Sequence, residues 1–164
     1  MNRSIRLIAA LGMLALPSIV KAQSITGSIA ASADIATVFS FGVPSPLNFG
    51  AITPGTAANA AGYIPLSRNI GVIYSLPDAA NTGLLTGPGA LTLQPSYTCG
   101  VGATNSVITS AFTACNTSGG QLTLPSPTGT VTEFVIFKGA LAAAQTNITP
   151  GTYSGTIRVT ATGN

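Results

Sequence analysis

The stretch "ITPGTYSGTIRVTATGN", residues 148–164, decides the fold class. From Tyr153 the odd positions Tyr153, Gly155, Ile157, Val159 and Ala161 are small, aromatic or aliphatic. The even positions Ser154, Thr156, Arg158, Thr160 and Thr162 are polar. Side chains alternate faces along a strand, so this period of two predicts a half-buried β-strand with one face on a core and the other in water. It is the cleanest alternation in the sequence and the last segment of it. A strand of this kind needs something to cover its free edge.

Working outward, the same alphabet recurs. Glu, Lys, Gln and Arg are scarce, and no long segment repeats apolar residues at helical spacing. Short strands are predicted at residues 25–41, 47–52, 62–66, 71–76, 90–94, 107–112, 121–124, 131–138 and 153–162. Turn clusters such as "VPSPL", "TPGT", "LPDAANTG", "TGPG", "NTSGG" and "PSPTG" separate them. This spacing predicts an all-β chain folded as an antiparallel sandwich or barrel. The pentapeptide "ITPGT" occurs at 52–56 and again at 148–152, with Pro and Gly suited to the centre of a type II turn. With no longer period around it, the repeat reads as two similar turns beside strands rather than a duplicated half-domain. "GALAAAQ", 139–145, fits one helical turn or a loop equally well.

The first residues, "MNRSIRLIAALGMLALPSIVKA", carry Arg3 and Arg6, an apolar run from Leu7 to Leu16, and small residues Val20 and Ala22 where a signal peptidase reads. Residues 1–22 are expected to be an export signal cleaved between Ala22 and Gln23, with an uncleaved anchor as the alternative. The apolar run is about half of the ~20 residues needed to span a bilayer, so no transmembrane span is expected after cleavage. Residues 23–164 then form a single domain. Cleavage removes Arg3, Arg6 and Lys21. Arg68, Lys138 and Arg158 then balance Asp34, Asp78 and Glu133. The net basicity belongs to the leader, and a nucleic-acid partner, which needs clustered Lys and Arg, is not expected. A near-neutral, Thr/Ser/Asn-covered surface favours self-association.

Cys99 and Cys115 lie in "CGVGATNSVITSAFTAC". An even pair in an exported chain reads as a disulfide, closing a loop whose constraint is worth about 3 kcal/mol. A metal site or reactive thiol is the alternative, but the sequence has no His and two thiols do not complete a zinc site. Catalysis has no visible carriers, because the acids are three scattered carboxylates, and no phosphate-cradling or calcium-binding loop is present. The chain is therefore read as no enzyme, with no cofactor. Glu133, inside "TVTEFVIFKG", is expected on the solvent side across from Lys138 or Arg158. The "NTS" at Asn116 and "NIT" at Asn147 fit the glycosylation pattern and discriminate little.

"PLNFGAITPGTA" (46–57), followed by "FVIFKGALAAAQTNITPGTYSGTIRVTAT" (134–162), resembles the bacterial pilin-like β-sandwich proteins, including the spore coat protein U group. That group usually carries a cysteine close to the "LNFG" strand, whereas here both lie far downstream. The resemblance implies an immunoglobulin-like sandwich incomplete at its C-terminal edge. It also implies a structural subunit of a chaperone–usher surface fibre, whose partners are other subunits, a periplasmic chaperone and an outer-membrane usher. The missing strand would come from a neighbour's N-terminal extension. Here that donor is residues 23–30, with Ile25, Gly27 and Ile29 on its apolar face, beside an acceptor strand marked by Tyr153, Ile157 and Val159. Residues 31–41 read as the domain's own first strand. Export would pass through the periplasm to the cell surface or beyond. The alternative is a monomeric secreted or surface β-sandwich that binds sugar or protein. Against that, there is no Trp and there are only four Tyr for a sugar-stacking site.

Overall fold

The computed structural model describes residues 30–76, 83–115, 119–143 and 148–164. The chain divides into two units, Met1–Asp34 and Ile35–Asn164. Of the first, the described residues 30–34 are exposed and lack regular structure. The expectations for residues 1–22, for cleavage at Ala22 and Gln23, for the donor positions Ile25, Gly27 and Ile29, and for Asn116 and Asn147 all fall outside the described residues.

Unit Ile35–Asn164 is all-β and antiparallel. Its strands are β1 (Phe39–Phe41), β2 (Ala58–Arg68), β3 (Val72–Ser75), β4 (Leu85–Thr86), β5 (Thr92–Leu93), β6 (Ser96–Gly102), β7 (Ser110–Ala111), β8 (Gln121–Leu124), β9 (Val131–Leu141) and β10 (Thr160–Gly163). One sheet has the order β1-β2-β9-β6-β7, a second β10-β3-β8, and β4-β5 forms a small hairpin. β9 is the central strand because "VTEFVIFKGAL" is dense in β-branched and aromatic residues, which suit a position paired on both edges. It pairs with β2 from Ala58↔Leu141 to Arg68↔Val131, and with β6 from Ser96↔Ala140 to Gly102↔Phe134. Register brings Ile64, Val135 and Val101 into one row, and Gly62, Phe137 and Cys99 into the next. These rows share a core cluster with Leu66, Phe112 and, from the second sheet, Val72 and Tyr74. Two antiparallel layers thus enclose one core, a β-sandwich.

One end of that core is closed by charge. Arg68 ends β2 on the core face and is 3% exposed. Its guanidinium donates to both carboxylate oxygens of Glu133 on β9 at 2.8 Å, and to the carbonyls of Ile70 and Pro125 at 2.7 Å. The Tyr74 hydroxyl donates to Glu133 Oε2 at 3.4 Å, from the other sheet. Glu133 therefore faces inward, not outward, and its partner is Arg68 rather than Lys138 or Arg158. Cross-strand pairing sets Leu66 opposite Glu133, so Arg68 is its diagonal neighbour on the same face. Arg68→Ala strands a partly buried carboxylate and is expected to cost about 3 kcal/mol, read as a shift in the urea midpoint at constant slope.

Several segments differ from expectation. Residues 47–52 join no ladder, with Gly50 at φ +69°, and within 25–41 the described strand is only β1. There the Asn69 side chain takes the place of a ladder, accepting from Val38 N and donating to Ala36 O. β7 and β5 are shorter than expected, and a 3-10 turn, Pro88–Ala90, occupies the start of 90–94. β6 was hidden by its glycines. A Cβ at Gly100 would meet Ile108 and the Ser110 carbonyl, and one at Gly102 the Val107 carbonyl, because the chain after β6 folds back across them.

Cys99 on β6 is bonded to Cys115, with Cα atoms 5.7 Å apart. This ties β6, the neighbour of edge strand β7, to the chain leading into β8. Replacing either cysteine by Ser should lower stability by about 2–5 kcal/mol, measured by denaturant unfolding of the oxidised and variant proteins. Tyr97, buried beside it on β6, donates to the Gly83 carbonyl at 2.7 Å, and burial pushes its phenol up to about 12. Burial also raises Tyr74. A raised phenol pKa stabilises the fold fully below the unfolded value of about 10, and that stability is lost as pH climbs through the folded value. Unfolding free energy should therefore fall between about pH 10 and pH 12, and Tyr97→Phe should flatten part of that slope.

Candidate functional site

The structure directs attention to the terminal segment and what faces it. Among the described residues β10 is the end strand of its sheet, paired with β3 from Thr160↔Ser75 to Gly163↔Val72. Asn164 N donates to Gly71 O at 2.8 Å. Ser154 and Thr86 exchange both backbone bonds, at 2.8 and 3.1 Å. Even-numbered residues thus turn their N–H and C=O groups toward partners within the chain. In a strand these groups alternate edges as side chains alternate faces. Within β10, Ala161 and Gly163 therefore turn theirs to the opposite edge, where no described strand lies.

The side chains keep the same parity. Tyr153, Ile157, Val159 and Ala161 are half-buried and the even positions are exposed. Ile157, Val159 and Ala161 pack against the core cluster. The regular ladder covers only Thr160–Gly163, shorter than the expected 153–162, because Ser154 upstream is bridged to Thr86 instead of β3.

Across from this segment runs "LNFGAITP". The chain follows β2 as far as Ser45, which exchanges backbone bonds with Tyr63, then leaves it. It crosses Gly62 so closely that a Cβ there would lie 2.8 Å from Leu47 N. Leu47 packs on the core, and the Phe49 ring lies over Gly139 beside Tyr97. Asn48 and Gly50 point outward, and Asn48 Oδ1 accepts from Gly50 N at 2.8 Å. Between this segment and residues 148–155 lies a groove of about 630 Å³, completed by Leu85 and Leu93 of the β4–β5 hairpin, and among the described residues no charged side chain lines it.

Both "ITPGT" stretches line that groove. They differ in detail. At the first, Thr56 N donates to Thr53 O and Gly55 has φ +83°, as a type II turn requires. At the second, Gly151 has φ +153°, outside that turn type, and the Tyr153 hydroxyl contacts Thr149 instead.

Alternation in the sequence marks Ile157, Val159 and Ala161 as inward, and they pack on the core, while Cys99 and Cys115 are bonded as their even pairing suggests. The groove is not legible in the sequence, although the "LNFG" alternation and the repeated pentapeptide are its signals. Among the described residues no group of three or more His, Cys, Asp or Glu is placed to hold a metal ion. No helix among them is long and apolar enough to cross a membrane. No family model matches the chain, and no curated protein matches it significantly.

The edge assignment has a direct measurement. In the unassembled chain the amides of Val159 and Ala161 should exchange with solvent markedly faster than those of Thr160, Thr162 and Asn164, as read by NMR hydrogen exchange.

Proposed function

We propose that this chain is a structural subunit of a bacterial surface fibre, assembled when the N-terminal segment of one copy lies as an added strand beside residues 153–162 of another. The carrying observation is the parity of the terminal segment, whose odd residues half-bury their side chains over the core while β10 ends its sheet. An edge of that kind invites strand addition, in which backbone bonds supply affinity and alternate side chains supply fit. The uncharged groove supports the same reading, since residues 23–33, "QSITGSIAASA", carry no charge and place Ile25, Gly27 and Ile29 on one face. The disulfide is in keeping with export, for which residues 1–22 supply the signal. Joining two different surfaces head to tail does not close on itself and so extends into a fibre. On this reading the completed fold is immunoglobulin-like. A periplasmic chaperone and an usher handle the subunit before its edge is filled, and the fibre has no catalytic role.

Deleting Gln23 to Ile29 should abolish polymers while leaving a fold that an added donor peptide stabilises. Ile25→Asp or Ile29→Asp should act nearly as strongly, because an unpaired charge would be buried. Electron microscopy and sedimentation of the exported protein read the result. Polymers that persist after the deletion, or a full-length chain that stays monomeric at all concentrations, would leave the secreted monomeric binding protein as the better account.

A further inference from the structure

We infer that Tyr153 is the positioning residue of the groove, holding one wall of it through its hydroxyl rather than contributing only an apolar ring. This deepens the strand-addition reading and rests on it. The Tyr153 hydroxyl donates to Thr149 O at 3.1 Å and accepts from Thr149 N at 3.2 Å, so one side chain ties down both backbone groups of a residue four positions earlier. The first "ITPGT" closes on its own backbone bond. The second has Gly151 at φ +153° and relies on this side chain.

The ring itself is seated. A Cβ at Gly87 would fall within the Tyr153 ring, and the Pro88 ring occupies the space a Cβ would take at Gly151. Next to Tyr153, Ser154 is bonded in both directions to Thr86. The β4–β5 hairpin therefore grips residues 149–154 through Thr86, Gly87 and Pro88, and Tyr153 transmits that grip to the wall. The opposite wall is anchored separately, by Leu47 on the core. Loss of the hydroxyl releases Thr149 and lets the wall move while both sheets remain intact.

The test uses the mature chain, residues 23–164, below the concentration at which it assembles. A fluorescent synthetic peptide of residues 23–34 serves as the probe. Tyr153→Phe should bind it about five- to tenfold more weakly, since each net hydrogen bond is worth roughly 1 kcal/mol. Gly87→Ala, which displaces the ring without touching the hydroxyl, should weaken it comparably. Tyr63→Phe, on the outer face of β2, should leave binding unchanged. Amide protection along the β2–β9 ladder should be the same in all three, while Thr149 loses protection in the first two. Parent-like binding by both Tyr153→Phe and Gly87→Ala overturns the positioning role and leaves strand addition standing. Failure of the parent chain to bind the peptide overturns strand addition, and this inference with it.

Discussion

The structure depends on the ion pair between buried Arg68 and partly buried Glu133. A guanidinium taken out of water costs several kcal/mol, and attraction to a single carboxylate compensates only when the remaining donors are also satisfied. Arg68 meets that condition with Glu133 on β9, the Ile70 carbonyl at the β2–β3 turn and the Pro125 carbonyl just after β8. These partners lie on β9 of the larger sheet and beside β3 and β8 of the smaller one. If the layers shifted relative to one another, a buried charge would lose its partners, so the pair sets the alignment of the sheets as well as their cohesion.

From that anchored end the ladders run the length of the sandwich. The β2–β9 register carries pairing from Arg68↔Val131 to Ala58↔Leu141, and β10 meets β3 near the anchored end, at Gly163↔Val72. Toward the other end the regular pairing gives out. The N-terminal segment has left β2 after Ser45, and Ser154 is held by Thr86 rather than β3. The groove lies there, where no strand among the described residues joins the two walls. Closed and open ends of the same sandwich thus follow from where hydrogen-bonding partners exist.

Natural edge strands are commonly blunted by charge, proline or a covering loop. The inward positions of the terminal strand carry none of these, and Arg158 sits on the exposed parity. An edge in that condition among the described residues is a hazard for a monomer and a joint for a polymer. The fibre reading gives the edge a purpose, and the seating of Tyr153 against Gly87 gives its neighbouring wall a defined place.

Local chemistry made the all-β class legible, because alternation over two residues and Gly/Pro punctuation act within a few positions. The terminal strand's inward residues, β8 and most of β9 could be read that way, as could the Cys99–Cys115 pair. β6 could not. Its pattern "SYTCGVG" alternates, but Gly100 and Gly102 look like turn residues until the chain is seen folding back over them. Nor could the role of Glu133, since an acid in an apolar strand reads as solvent-facing unless a partner 65 residues away is known to share its face. The repeated "ITPGT" was visible as two turns, and only the packing of distant segments made them walls of one groove. By itself the sequence determined strand alternation and the residues able to bond covalently. Tertiary structure alone decided which described strand ends its sheet and which charge is buried, because pairing partners are chosen across the whole chain.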